Sequence, residues 1–269
     1  MKKIFSLLLI LLLLTTIHSN TIEPILFPDV ESLEQVKIRS VIDGDTISTF
    51  KYDNNIRLIG IDAPETKSGS KPMGEYSYES YQFVKNKLLK EANRNAYLEF
   101  DENMYDNYGR ILAYVYYEDE EGYLLLLNEE ILKEGLARPL FYEDTSKWQD
   151  VFVEAYTYAY ENRRGIFEKY DDDNILIDET ELSKKDVGKI RWVKTKVKDV
   201  KLEKSGFYKI ISENEIFYYG VRRQEFEAFF DEYNLYDLKG KEAMFYGEIW
   251  IDHQTNQYEI LGRAPFEIK

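Results

Sequence analysis

From Val36 onward, short runs of alternating apolar and polar residues are broken at close intervals by turn-forming residues. Val36 to Val41 reads as a strand, Asp43-Gly44 as a tight turn, and Thr46 to Phe50 as the returning strand. Asp53-Asn54-Asn55 marks another turn before a strand over Ile56 to Ile61. The Gly, Ser, Lys and Pro residues of Lys67 to Gly74 predict a mobile surface loop. Within Tyr78 to Ala92, the residues Tyr81, Val84, Leu88 and Leu89 recur at helical spacing. Strands follow at Ala96 to Phe100 and Ile111 to Tyr117, with helices at Leu127 to Glu134 and Lys147 to Arg163. The pattern predicts a small β-barrel meander with packed helices, closing near residue 168.

The next stretch, residues 169–186, crowds Asp171-Asp172-Asp173 and Asp178-Glu179 together. Mutually repelling acids predict a solvated acidic linker; a calcium-binding loop would need a glycine and a ligand spacing absent here. Residues 187–269 are β-rich again, with strands expected at Arg191 to Val200, Tyr208 to Ile211, Ile216 to Val221, Ala243 to Ile251 and Tyr258 to Leu261. A short helix, Gln224 to Tyr233, interrupts them. Five strands and one helix in so short a span fit a small closed Greek-key barrel of OB type. The predicted class is therefore α+β, mainly β with helices, built on two small barrels.

Composition narrows the chemistry. The 269 residues contain no Cys and two His, which excludes disulfides, thiolate metal sites and Cys nucleophiles. One of the two, His18, lies in a leader-like segment: Lys2 and Lys3, an apolar run from Ile4 to Leu14, then a polar exit to Ser19. That arrangement predicts a signal peptide over residues 1–19 and a secreted or cell-surface protein, with membrane attachment only if the leader stays uncleaved. A single remaining imidazole supports neither a multi-His metal site nor a His-based triad. Catalysis would rest on carboxylates, Arg, Lys, Tyr or a hard cation held by oxygen.

Four short pieces carry candidate chemistry: Val41-Ile42-Asp43-Gly44-Asp45-Thr46, Arg57-Leu58-Ile59-Gly60-Ile61, Asp62-Ala63-Pro64-Glu65 and Tyr108-Gly109-Arg110. Asp45 leaves a turn and Asp62 ends a strand, so two carboxylates can converge at one barrel rim, where oxygen ligands suit Ca²⁺. The Ala63 carbonyl is a candidate third ligand. Glu65 sits three residues beyond Asp62 behind a stiffening Pro64, within reach of a water it could deprotonate or orient. Arg57 and Arg110 offer planar donors for phosphate oxygens. Asp43 reads either as a turn residue or as a neighbour of the cation site.

Together and in this order, these pieces resemble the staphylococcal nuclease family, over residues 36–168. The resemblance implies an OB-like five-stranded barrel with packed helices and Ca²⁺-dependent hydrolysis of DNA or RNA phosphodiesters, leaving 3′-phosphate and 5′-hydroxyl ends. It assigns Asp45, Asp62 and Ala63 to the metal, and Arg57, Glu65 and Arg110 to catalysis. It also assigns Tyr108 to a terminal phosphate, beside Asn107 where a Lys is frequent, and Phe141 to base stacking in place of a Tyr, with Glu143 a further departure nearby.

A net charge of −15 opposes nucleic-acid binding through overall charge, so distribution decides. Lys189, Arg191, Lys194, Lys196, Lys198, Lys201, Lys204 and Lys209 face only Asp199 and Glu203 in one stretch, with Trp192, Phe207 and Tyr208 among them. This predicts a basic ribbon in which Lys194, Lys196 and Lys198 hold single strands; Trp192 as core, with the lysines as a solubilising edge, is the alternative. Gly188-Lys189-Ile190-Arg191-Trp192-Val193 and Leu238-Lys239-Gly240-Lys241 also resemble OB-type nucleic-acid-binding modules. The expected function is an exported nuclease with a C-terminal substrate-holding module and no stable protein partner. A non-catalytic nucleic-acid-binding protein on the same fold is the alternative, and a surface interaction protein ranks third.

Overall fold

The computed structural model describes residues 28–66 and 73–269. The expected leader and most of the loop expected at 67–74 lie outside the described residues; Gly74 re-enters with its N–H on the Glu65 carbonyl at 3.0 Å. Among the described residues no helix is long and apolar enough to cross a membrane.

The first β unit contains β1 (Glu34–Val41), β2 (Thr46–Thr49), β3 (Ile56–Leu58), β4 (Gly60–Asp62), β5 (Asn95–Glu99), β6 (Ile111–Glu118), β7 (Leu124–Leu126) and β8 (Arg138–Leu140). Strands β1, β2 and β3 form an antiparallel meander. Strand β3 then pairs parallel with β6, and β5 joins β6 back to β1, closing a five-stranded barrel. Helices α1 (Ser77–Lys85), α2 (Leu127–Lys133) and α3 (Gln149–Glu161) pack around it. The predicted single helix over 78–92 changes at Asn86 into a wider π turn that keeps Leu88 in the core beside Val84.

The predicted strand over 56–61 is two strands with different partners: β3 stays in the barrel, whereas β4 pairs with β8. The break is at Gly60, whose φ of +76° and 2.4 Å approach of a hypothetical Cβ to the Phe152 ring admit only glycine. This bend carries the chain from Arg57 on the barrel to Asp62 at its rim.

The second unit contains β10 (Ile190–Leu202), β11 (Tyr208–Ser212), β12 (Phe217–Val221), α4 (Arg223–Phe229), β13 (Glu242–Glu248), β14 (Trp250–Ile251) and β15 (Tyr258–Gly262). Its half-barrel sheet has the order β13-β10-β11-β12-β15-β14, and Ile249 alone separates the two end strands in the chain. A three-strand antiparallel meander ending in a strand parallel to β15 repeats the pairing of the first barrel.

No solvated linker joins the two units, contrary to the expectation for residues 169–186. Asp171, Asp172 and Asp173 are exposed, but β9 (Leu176–Asp178) runs parallel to β10, and Tyr170, Ile175 and Glu179 are buried. The apolar residues interleaved with the acids outweigh the charge run, and one oxygen of the buried Glu179 accepts the Thr195 hydroxyl at 2.8 Å and the Asn214 amide at 3.2 Å. One apolar core also crosses the junction: Ile190, Trp192, Tyr246 and Ala264 cluster with Phe152, Tyr156 and Phe167. Tyr160 stacks on Phe266 at 4.1 Å, and Arg138 of β8 forms a buried ion pair with Glu248 of β13 at 3.0 Å.

Candidate functional site

The turn after β1 and the end of β4 meet at the barrel rim, as the spacing of the acidic residues predicts. The Asp43 carboxylate accepts the Asp45 N–H at 3.1 Å and so shapes the turn. Gly44 lets that turn lie against α1 and residue 63, because a Cβ there would stand 1.8 Å from the Ser80 hydroxyl and 2.7 Å from the Ala63 methyl. Asp45 is buried, and its two oxygens accept the Thr46 hydroxyl and the Ala63 N–H, each at 2.9 Å.

Arg57 organises the pair. Its Nη2 lies 3.0 Å from Asp45 and 3.7 Å from Asp62, while Nη1 donates to the Leu58 carbonyl at 2.9 Å. Asp45 stays under-compensated even so: burial pushes its carboxyl up to about 7, against the pull of Arg57 and with Asp43 and Asp62 adding repulsion. Asp62 is more open, with its side chain 44% exposed. Among the described residues no three His, Asp or Glu side chains enclose a metal by themselves, so a cation here would take two carboxylates and complete its shell from backbone carbonyl and water. Glu65, half-buried, follows Pro64 three residues beyond Asp62.

Arg110 comes from the turn before β6. Its Nε donates to Asp106 at 2.7 Å, and Asp106 also accepts the Arg110 and Tyr108 N–H groups at 2.9 Å each, which fixes the turn. These bonds outweigh the effect of burial and hold the Asp106 carboxyl below its ordinary range. Arg57, Arg110 and Tyr108 line one cleft of about 260 Å³ together with Tyr105 and Tyr142. Tyr108 is 86% exposed, with Arg110 5.6 Å from its ring centre.

Of the expected substrate contacts, Phe141 and the lysines of the basic ribbon lie away from this cleft. Phe141 is buried and stacks on Phe229 of α4 at 6.3 Å, so it cannot stack on a base; the neighbouring Tyr142 faces the cleft with Arg222 4.6 Å from its ring centre. Both residues follow the end of β8, where no periodic pattern in the sequence says which of two adjacent rings turns inward. Glu143 is matched by Arg223 at 3.0 Å. Trp192 is core, packed on Tyr170 and Tyr246 with its N–H on the Tyr170 carbonyl, which removes the aromatic platform from the basic ribbon. Lys194 and Lys196 pair with Glu242 of β13 and Glu213 at 3.1 and 2.9 Å, and Lys198 pairs with Glu215, so these three lysines each face a glutamate on β13 or in the turn between β11 and β12. Arg263, which no local signal singles out, places Nη2 3.3 Å from Asp62 across 201 residues of chain.

Residues 55–169 match the family described as Staphylococcal nuclease homologue. The chain is 38% identical over 133 residues to the thermonuclease of Staphylococcus hyicus, covering 49% of this chain and 74% of that protein. It is 37% identical over 138 residues to the thermonuclease of Staphylococcus intermedius, covering 51% and 77%. It is also 36% identical over 127 residues to endonuclease YncB of Bacillus subtilis, covering 45% and 56%. The matched segment contains Arg57, which pairs with Asp62 and lines one cleft with Arg110, and it contains Glu65 as well; the chain belongs to the staphylococcal nuclease homologue family.

Proposed function

We propose that this protein is an exported nuclease that hydrolyses phosphodiester bonds of DNA or RNA with the help of Ca²⁺, releasing 3′-phosphate and 5′-hydroxyl ends. The observation that carries the reading is the convergence of Asp45 and Asp62 on Arg57, which itself lines one cleft with Arg110.

Asp45, Asp62 and the Ala63 carbonyl would hold the cation, and the buried, under-compensated Asp45 carboxyl is what a cation-accepting site looks like without its positive charge. When bound, Ca²⁺ supplies charge neutralisation and Lewis-acid polarisation at the phosphodiester. Arg57 and Arg110 donate to phosphate oxygens and match the extra negative charge of the five-coordinate transition state. Arg57 keeps Asp45 as its partner and lines the cleft, where its guanidinium can also donate to a phosphate oxygen. Glu65 accepts the proton of the attacking water or orients that water. Tyr108 and Tyr142 offer exposed rings and hydroxyls along the cleft for sugar, base and phosphate. The Lys2, Lys3 and Ile4-to-Leu14 pattern supports export. The OB-type pairing order of the second unit supports a substrate-holding role for it, through its outer surface and without Trp192.

The test follows single-stranded DNA, duplex DNA and RNA incubated with the chain from Asn20 onward, in Ca²⁺ and then in chelator. Chelator-sensitive cutting that leaves 3′-phosphate ends is the expected result. Intact oligonucleotide binding with no cutting under any divalent ion would make the protein a binding module instead.

A further inference from the structure

We propose that Arg263, contributed by the second β unit, is a positioning residue for the nuclease site: it holds one oxygen of Asp62 so that the other is presented to the cation. The inference rests on the assignment of Asp62 to the cation site.

The geometry divides the Asp62 carboxylate between two arginines. Oδ1 faces Arg57 at 3.7 Å, on the side of Asp45, whereas Oδ2 takes the Arg263 Nη2 at 3.3 Å. Asp62 is otherwise a half-exposed side chain at a strand end, a setting in which a carboxylate samples several rotamers. Arg263 is the opposite case, with its side chain only 3% exposed.

The guanidinium is held from behind. Its Nη1 donates to the Leu261 carbonyl at 3.3 Å, and the Arg263 N–H donates to Glu267 at 2.6 Å. Glu267 is in turn bonded by the hydroxyls of Tyr156, from α3 of the first unit, at 2.6 Å and of Tyr219, from β12 of the second, at 3.1 Å. A buried chain of contacts therefore runs from both units through Glu267 and Arg263 to Asp62.

Packing does not account for an arginine here. Its Nε is buried without a hydrogen-bond partner among the described residues, which is a cost that a neutral apolar side chain would avoid. Asp62 is the carboxylate within ion-pair distance of the guanidinium, while the buried Glu267 also feels its charge. A ligating carboxylate whose second oxygen is fixed by a hydrogen bond is pre-organised, and loss of such a partner typically weakens metal binding about 10- to 100-fold. The catalytic unit is then composite: the segment carrying Asp45, Arg57 and Asp62 is incomplete without the last strand of the chain.

Calorimetric titration with Ca²⁺ alone tests this on the full chain and on Arg263→Gln, Arg263→Lys, Asp62→Asn and the Asp62→Asn/Arg263→Gln double variant. Arg263→Gln is expected to weaken Ca²⁺ binding about 10- to 100-fold. Arg263→Lys, which keeps the charge with one donor, should fall between it and the parent. In the Asp62→Asn background, Arg263→Gln should change nothing further, because its effect passes through Asp62. Unchanged affinity in Arg263→Gln, with only a lower melting temperature, would overturn the inference, as would tighter binding or an effect of equal size in the Asp62→Asn background. If Arg263→Gln does not fold, Arg263→Lys decides, and parental affinity in it counts against the proposal. A parent chain that takes up no Ca²⁺ overturns the cation site and this inference together. Binding that Asp62→Asn weakens and Arg263→Gln leaves alone overturns the inference only.

Discussion

Arg57 stands between two carboxylates and beside the cleft, so its loss removes a phosphate donor and leaves Asp45 buried without its closest cation. Arg57→Ala should lower kcat by about 10²- to 10³-fold, the usual consequence of removing one donor aimed at transition-state charge, as read in single-turnover cleavage of a labelled oligonucleotide. The same electrostatics give a pH signature. Burial pushes the Asp45 and Glu248 carboxyls up to about 7, in each case against a neighbouring arginine. Between the ordinary carboxylate range and that value, the folded chain keeps protons that the unfolded chain has released. Their contribution is complete at acidic pH and is lost as the pH rises through about 7. In chelator, the urea midpoint should therefore fall between about pH 5 and pH 8. Glu248→Gln should flatten that slope, and a midpoint that rises across the same range would contradict the assignment. At this scale the charged and hydroxyl-bearing site residues were legible, because their short spacings already join Asp45 to a turn and Asp62 to a strand end. Phe141 is not legible in the same way, since it lies just past a strand end, where packing against Phe229 and not a periodic pattern turns the ring inward.

Among the elements, the bend between β3 and β4 does the positioning. Gly60→Ala would force a Cβ to within 2.4 Å of Phe152 at a φ of +76°, and the expected loss of stability is on the order of 1–3 kcal/mol by urea denaturation. Because the same bend sets the separation of Arg57 and Asp62, cleavage should fall by more than the loss of folded protein explains when both are measured at one temperature. Equal losses would mean that the bend serves stability alone. Apolar residues recur from Ile56 to Ile61 with no polar turn residue between them, so the segment reads as one strand even though the alternation changes phase at Leu58-Ile59. The split appears only because β8, a three-residue strand containing Pro139, offers β4 a partner outside the barrel.

For the whole molecule, the two β units share Tyr156, Phe167, Trp192 and Tyr246 in a single core, with the Arg138–Glu248 pair buried at the junction. A chain ending after Glu168 would expose that aromatic face and leave Arg138 without its carboxylate. It should lack a cooperative urea transition, whereas the full chain should unfold with coincident fluorescence and circular-dichroism curves. An independently folded 28–168 fragment with a sharp transition would show that the second unit is dispensable for folding. The acidic segment between the units misled the charge-pattern reading for a related reason: Tyr170 and Ile175 are too few to form a periodic signal, yet they find apolar partners on Trp192 and its neighbours.

Turn residues, two-residue alternation and short motif spacings are local properties of the chain, so the α+β class, the order of most strands and helices and the family can be read from the sequence, along with Asp45, Arg57, Asp62 and Arg110 as candidates. Packing alone shows which aromatic residues face the cleft, that Lys194 and Lys196 pair with glutamates of β13 and of the turn after β11, and that Arg263 reaches Asp62. Those facts depend on packing between segments up to 201 residues apart, and no local pattern encodes which distant surface a side chain will meet.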